Sequence, residues 1–278
     1  MLSMWKLLST TLLLSSLAYG ATTPSEKIED FLSDEFSDNP ALQSVQVHVS
    51  DIVPLKDLPG WNGYIVDVSA HLKAQPKKEV SQRMIWFSNG TMITKTLINM
   101  DTLADMSQEI KPDVKSAQYK KHALLYGNAD AKHKVIIFSD PLCPFCRRFV
   151  PGAIKEMKQD PKKFAIYYYH LPLARIHPAS VTLVKAAIAA ELQGKKDVVL
   201  KMYNVRISPS ERDVKKILAA FNSAVGTNIT TKDIADKRVL AIVKEDEQVA
   251  KELLVAGTPT VYLDGKLDHT KKKYKTVK

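Results

Sequence analysis

Apolar positions change period several times along the chain, and each change marks an element. After Ser25, residues Ile28, Phe31, Leu32 and Phe36 recur three to four apart, which predicts a short amphipathic helix. Val45, Val47 and Val49 then alternate with polar residues, the period of a half-buried strand, and 64–68 predicts a second one. The Pro- and Gly-bearing stretches 52–55 and 58–61 read as turns. Segments 84–87 and 92–97 flank Ser88-Asn89-Gly90-Thr91. Asn-Gly suits the positive-φ positions of a type I′ turn, so this is predicted as a hairpin. Leu103, Met106, Ile110 and Val114 fall at helical spacing in a lysine-rich stretch interrupted by Pro112, which predicts a solvated linker helix over 103–128.

Beyond a turn at Gly127-Asn128 the rhythm is different. An apolar β-rich run at 135–138 is followed by a helix opening near Cys143, with Phe149, Ile154 and Met157 on it and Pro151 inside it. A strand at 164–169 leads to an alanine-rich helix at 178–192, stopped by Gly194. Helical stretches at 198–203, 214–221 and 233–255 precede a strand at 260–263 and a turn at Asp264-Gly265. This order predicts an α+β protein in two units, 21–102 and 129–278.

The first twenty residues form a separate class of segment. Lys6, the apolar run 7–17 and the small residues of Ala18-Tyr19-Gly20 predict a signal peptide over 1–20, cleaved before Ala21. That run is shorter than the roughly 20 apolar residues needed to cross a bilayer, and no later segment approaches that length. Export to a bacterial periplasm is the expectation. The formal charge of +10, less Lys6, leaves +9 beyond residue 20, much of it in the lysines of the C-terminal tail. Basic residues are not interleaved with aromatics on one face, so a nucleic-acid partner is not expected. His48 and His71 stand alone and suggest no site.

Chemistry is concentrated in one place. Cys143 and Cys146, the only cysteines, sit at C-x-x-C spacing just after the 135–138 strand. A disulfide closing so small a loop removes little unfolded-chain entropy, so stability is a poor reason for the pair and reversible exchange is a good one. The attacking thiol must ionise, and a helix N-terminus favours its thiolate through unpaired N–H groups and the macrodipole. Pro144 suits the first helical position. The geometry assigns Cys143 as an exposed nucleophile and Cys146, one turn on, as the buried resolving thiol. Two competing readings are a redox-silent pair and half of a zinc site. Zinc needs four ligands, and His170 and His177, the nearest supplements, lie outside the usual spacing; no metal or other cofactor is expected beyond the redox-active cysteine pair. Thr258-Pro259 stands at the entrance to the 260–263 strand, where a proline can take the cis form. Arg147 and Arg148 read as solvated helix residues, and Tyr167, Tyr168 and Tyr169 as strand packing.

The Phe138-Ser139-Asp140 lead-in to Cys143-Pro144-Phe145-Cys146, with Thr258-Pro259 downstream, resembles the DsbC/DsbG family of periplasmic thiol:disulfide interchange proteins in the thioredoxin-fold superfamily. The likeness extends to the Ser88-Asn89-Gly90 hairpin unit and the linker. It implies a thioredoxin fold over 129–278 with a helical insertion at about 178–250, and an N-terminal unit (21–102) that dimerises into a V-shaped homodimer. It also implies that Pro259 is cis and faces the cysteines, and that Thr258 offers backbone hydrogen bonds to a client chain. Two departures stand out: Ile137 occupies the position where thioredoxin and DsbA carry a buried acid, and Phe145 replaces the histidine of DsbA-type Pro-His. A thiolate less favoured than in a strong oxidase is therefore expected. The resulting expectation is an isomerase or reductase of exported proteins, kept reduced by a DsbD-type membrane donor. The alternatives are a DsbA-like oxidase reoxidised by a DsbB-type partner, a chaperone with incidental thiols, and a thiol carrier for copper or haem maturation.

Overall fold

The structure is a computed structural model that describes residues 22–278; the predicted signal peptide lies outside the described residues. Helix α1 (Pro24–Ser37) opens on a capping box. The Thr23 side chain accepts from the Glu26 backbone while the Glu26 carboxylate accepts from the Thr23 N–H. Its Ile28 and Leu32 bury against Tyr64 and Val66 of a four-stranded antiparallel sheet. Strands β1 (Leu42–Pro54), β2 (Asn62–Leu72), β3 (Gln75–Ser88) and β4 (Ile93–Thr94) pair in sequence order.

Three details of this unit differ from the sequence pattern. Residues 52–54 continue β1 rather than turning, paired with Tyr64, Gly63 and Asn62. Pro54 is tolerated because it is the last residue of an edge strand. The first half of β3 carries few apolar residues, since it is held by register with β2 and not by a buried face. The 88–93 hairpin forms, yet only Gly90 has positive φ, and the Asn89 side chain accepts from the Thr91 and Met92 N–H groups. It is an Asx-stabilised loop and not a type I′ turn.

The linker helix is not formed. α2 (Met106–Glu109) is a single turn capped by Asp105; residues 110–115 are irregular, and Ser116–Gln118 and Lys121–Ala123 are 3₁₀ turns. Pro112 lacks a donor and biases Lys111 away from helix. Ile110 and Val114 are spaced as helix neighbours but anchor in different cores: Ile110 among Leu55, Ile65 and Phe87, Val114 beside Phe138 and Tyr262. The end of the predicted linker is already part of the second sheet, as β5 (Leu124–Tyr126).

That sheet continues with β6 (His133–Ser139), α3 (Pro144–Met157) and β7 (Phe164–His170), followed by α4 (Pro178–Leu192), α5 (Val198–Met202), α6 (Val214–Val225) and α7 (Lys237–Glu252). The predicted 233–255 helix splits where Asp236 caps α7 after a 3₁₀ turn at Asp233–Ala235. Strands β8 (Thr260–Leu263) and β9 (Lys266–Leu267) complete the order β5-β7-β6-β8-β9. β6 and β7 run parallel across α3, whereas β8 is antiparallel to β6. One face of the sheet packs on α3 through Val150, Ile154 and Met157, the other on the end of α7 through Val249 and Leu253. Helices α4–α7 bury a core of their own around Leu183, Ile188 and Phe221. Among the described residues no helix is long and apolar enough to cross a membrane.

Candidate functional site

Sheet register builds the site. The Phe138↔Thr260 pairing of β6 and β8 places the start of one strand beside the end of the other, so residues 257–259 meet the turn that follows β6. Cys143 is the N-cap of α3 with extended backbone (φ −63°, ψ 122°), and Pro144 takes the first turn. The Thr258–Pro259 peptide is cis. Cys143 Sγ donates to the Thr258 carbonyl at 3.5 Å. Both thiols are free.

Cys143 is not exposed as expected: only 4% of its surface reaches solvent, and Cys146 has none. The helix start does face outward, but the strand-entrance segment closes over the first sulfur. The open position is Phe145, 65% exposed, with the Arg148 guanidinium 5.5 Å from its ring centre. Burial pushes the Cys146 thiol up to about 12, offset in part by the Ser139 hydroxyl.

Two polar networks hold these elements. The first centres on Asp140, whose carboxylate is fully buried. Oδ1 accepts from the Leu142 N–H (2.7 Å), the Cys143 N–H (3.2 Å) and the Ser180 hydroxyl (2.7 Å). Oδ2 accepts from the Leu173 N–H (2.7 Å) and pairs with His177 Nδ1 (3.1 Å). Asp140 thus ties the cysteine turn to the β7–α4 loop and to α4. The second network is a row of buried hydroxyls: Ser139 Oγ lies 2.6 Å from the Tyr203 hydroxyl, which lies 2.8 Å from that of Tyr168. Arg147, expected to be solvated, is half-buried and tethers two loops, donating to the carbonyls of Pro141 and Val205, each at 2.8 Å.

The predicted residues Cys143, Cys146, Thr258 and Pro259 are therefore brought together, with Pro144 and Phe145 at the helix start. His177 joins them through Asp140, whereas His170 ends β7 with Nδ1 buried and unpartnered, on the wall of a cavity further back. Ser139, Asp140, Ser180 and Tyr203 were missed as site residues. Asp140 stood in the quoted lead-in, but an aspartate in a turn before a helix reads as a surface cap; the others carry no local signal. Among the described residues no three His, Cys, Asp or Glu side chains converge to hold a metal.

A sequence model of the family described as Thioredoxin matches residues 119–278, more than half of the chain. Over 142 residues the chain is 28% identical to Na(+)/H(+) antiporter NhaA 1 of Mycolicibacterium gilvum (strain PYR-GCK), covering 50% of this chain and 23% of the antiporter. It therefore spans about a quarter of the length of such curated relatives. It is 30% identical over 104 residues to thiol:disulfide interchange protein DsbG of Escherichia coli (strain K12), covering 35% of this chain and 40% of that one. BdbD from Bacillus subtilis superposes with a TM-score of 0.48 at 16% identity, covering 60% of this chain and 92% of BdbD. Since the family match runs from before β5 to the last residue and encloses both cysteines and the strand-entrance proline, the chain belongs to the thioredoxin family.

Proposed function

We propose that the protein is a thiol:disulfide oxidoreductase that isomerises or reduces disulfides in exported proteins. The observation that carries this reading is the position of Cys143: at the mouth of α3, with its sulfur against the Thr258 carbonyl and Cys146 buried one turn behind. Cys143, as thiolate, attacks one sulfur of a client disulfide. The bond between the client sulfurs breaks, a mixed disulfide forms, and one client sulfur leaves as thiolate. That or another client thiolate can then attack the mixed disulfide at the client sulfur, forming a new client disulfide and releasing Cys143 as thiolate. Alternatively Cys146 attacks Cys143, oxidising the pair and leaving the client reduced. The Thr258 backbone pairs with the client strand, and the exposed Phe145 ring offers it apolar surface.

Support for isomerase or reductase over oxidase comes from Phe145 in place of a thiolate-stabilising histidine and from the antiparallel sheet of residues 42–94 ahead of the thioredoxin-like unit. In this reading the chain is exported through a cleaved 1–20 segment, works in the periplasm, dimerises through 21–102, and is kept reduced by a DsbD-type membrane donor. The test is reactivation of scrambled ribonuclease beside oxidation of reduced ribonuclease, using purified protein. Activity in the first assay alone supports the proposal. Activity confined to the second makes the protein an oxidase; activity in neither excludes isomerisation, and failure to reduce insulin disulfides as well refutes exchange.

A further inference from the structure

Lysine and arginine are not spread alike over this chain. Of its 40 basic residues only seven are arginine. Arg83 and Arg238 are each paired with a carboxylate, of Asp67 and Asp236. The other five fall between residues 147 and 212, on segments that the hydrogen bonds of the site draw together. Asp140 fastens the β7–α4 loop to the cysteine turn through the Leu173 N–H and His177. Arg147 fastens the loop after α5 to the same turn through the Pro141 and Val205 carbonyls. The mouth of α3 is therefore ringed by residues 140–149, 171–177, 204–210 and, across the Cys143 sulfur, 257–259.

Those four segments contain four arginines, no lysine and one carboxylate. The carboxylate is Asp140, fully buried and with both oxygens occupied. Arg148, Arg175 and Arg206 are exposed, and among the described residues none of their guanidinium groups has an ion-pair or hydrogen-bond partner. Arg212 lies just outside, between Glu211 and Asp213, whose charges balance it. Arg148 stands 5.5 Å from the Phe145 ring centre, a contact that orients the cation without neutralising it. Next to Arg175 in the chain is Ile176, 64% exposed. The rim thus combines unpaired guanidinium groups with bare apolar side chains beside the Cys143 sulfur. Protein interfaces share that composition, being enriched in arginine and aromatic residues and depleted in lysine. A guanidinium is less strongly hydrated than an ammonium and binds a carboxylate through two parallel N–H bonds.

We propose that this rim selects client segments that carry carboxylates within a few residues of the cysteine under attack. Arg148, Arg175 and Arg206 pair with those carboxylates, while Phe145 and Ile176 cover apolar neighbours in the same segment. The proposal rests on the exchange reaction above and names the clients it favours. The three arginines act on docking alone: they raise the rate at which an acidic segment meets Cys143 and take no part in the sulfur chemistry. Several like charges held together without counter-ions cost the fold some self-repulsion, which an acidic client relieves on binding.

The test uses two synthetic peptides that differ only in having Glu or Gln on both sides of a single cysteine, which is capped as a 2-pyridyl disulfide. Attack by the Cys143 thiolate on the peptide sulfur breaks the disulfide and releases 2-thiopyridone, whose absorbance gives the rate. Each rate is divided by that of 2-mercaptoethanol with the same peptide, which removes intrinsic differences between the two. The reduced wild-type protein should prefer the Glu peptide by about tenfold at low salt, the lower end of electrostatic steering. The ratio should approach one at about 0.5 M salt, where exposed charges are screened. Replacing Arg148, Arg175 and Arg206 together by Gln should cut the low-salt ratio below about twofold. A control variant replaces Lys132, Lys155 and Lys162 by Gln. It loses the same net charge at the far ends of β6, α3 and β7, and should keep the wild-type ratio. Thermal melts check that both variants are folded. A wild-type ratio of one overturns the proposal, and if the same arginines instead hold the protein on phosphatidylglycerol vesicles, the rim belongs to a membrane surface. A preference that survives the arginine variant, or is lost equally in the lysine variant, overturns the assignment to these residues. Failure to release 2-thiopyridone from either peptide would refute the exchange reaction itself.

Discussion

Replacing Asp140 by Asn exchanges one carboxylate oxygen for an NH₂ group and tests the claim that this residue sets the cysteine turn. The amide oxygen can keep the three contacts of Oδ1, to the Leu142 and Cys143 N–H groups and the Ser180 hydroxyl. The NH₂ group then stands where Oδ2 accepted from Leu173 at 2.7 Å, so two donors face each other. A hydrogen bond to a charged group contributes about 1.5–3 kcal/mol, and a buried donor left without a partner costs about 1–3 kcal/mol. His177 recovers part of the loss, because its ring nitrogen can accept from the new NH₂. The expected destabilisation is about 3–5 kcal/mol, with Asp140→Ala worse because all five contacts lose their acceptor. The assay is urea unfolding of the dithiol form, followed by far-ultraviolet dichroism because Trp61 and Trp86 both lie in the first unit and no tryptophan follows residue 86. At an m-value of about 2 kcal/mol per molar, the midpoint should fall by about 1.5–2.5 M. A shift corresponding to less than 1 kcal/mol would refute the reasoning, since it would mean the Leu173 N–H finds another acceptor at no cost.

Three further outcomes follow from the geometry. The Cys146 thiol titrates at about 12 in the folded dithiol and near 9 unfolded, so the unfolded state binds fewer protons between those values and stability falls as pH rises through that window. Wild type minus Cys146→Ser, both reduced, should lose about 1.4 kcal/mol between pH 8 and pH 10 in urea melts, and a flat difference would show that the thiol is not shielded. Arg83 of β3 holds Asp67 with two bonds of 2.5 and 2.6 Å and donates at 2.5 Å to the Glu252 carbonyl at the end of α7. Being partly exposed, these contacts are worth about 1–2 kcal/mol after screening, and Arg83→Met should lose that much and broaden the small-angle scattering profile; an unchanged profile refutes the tie. Phe145→Ala should change stability by less than about 0.5 kcal/mol, since the ring is mostly exposed. It should slow exchange with a protein client more than with a small disulfide, and equal slowing of both would mean that the ring does not meet clients.

The elements most legible in the sequence are those whose pattern and packing agree. α4 is alanine-rich with Pro178 inside its start and Gly194 beyond its end, and its predicted limits are the observed ones. α3 was legible through the cysteine motif and its apolar face. The stretch from 103 to 128 misled because spacing reports only that apolar residues recur, not what they face. Ile110 and Val114 are four apart, yet they plug separate sheets. The cysteines themselves were legible, but their cover was not. Thr258 lies over Cys143 only because β8 pairs antiparallel with β6, a relation between segments more than a hundred residues apart. The same long-range pairing hides Tyr203, which reaches Ser139 from a helix–loop junction with no motif of its own.

The burial of Cys143 bears on how a thiol can be both reactive and selective. In the dithiol form its sulfur is hydrogen-bonded to the Thr258 carbonyl, an acceptor that an incoming extended chain would also use. Under the proposed exchange reaction, a client strand that paired with Thr258 would compete for the contact that covers the sulfur, and docking would then also uncover it. Asp140 fixes the Leu142 and Cys143 N–H groups, so the cysteine turn itself would not need to rearrange. On that proposal, Thr258→Pro or any change that blocks strand pairing should slow exchange with a protein client more than with a small disulfide, and equal slowing of both would refute it.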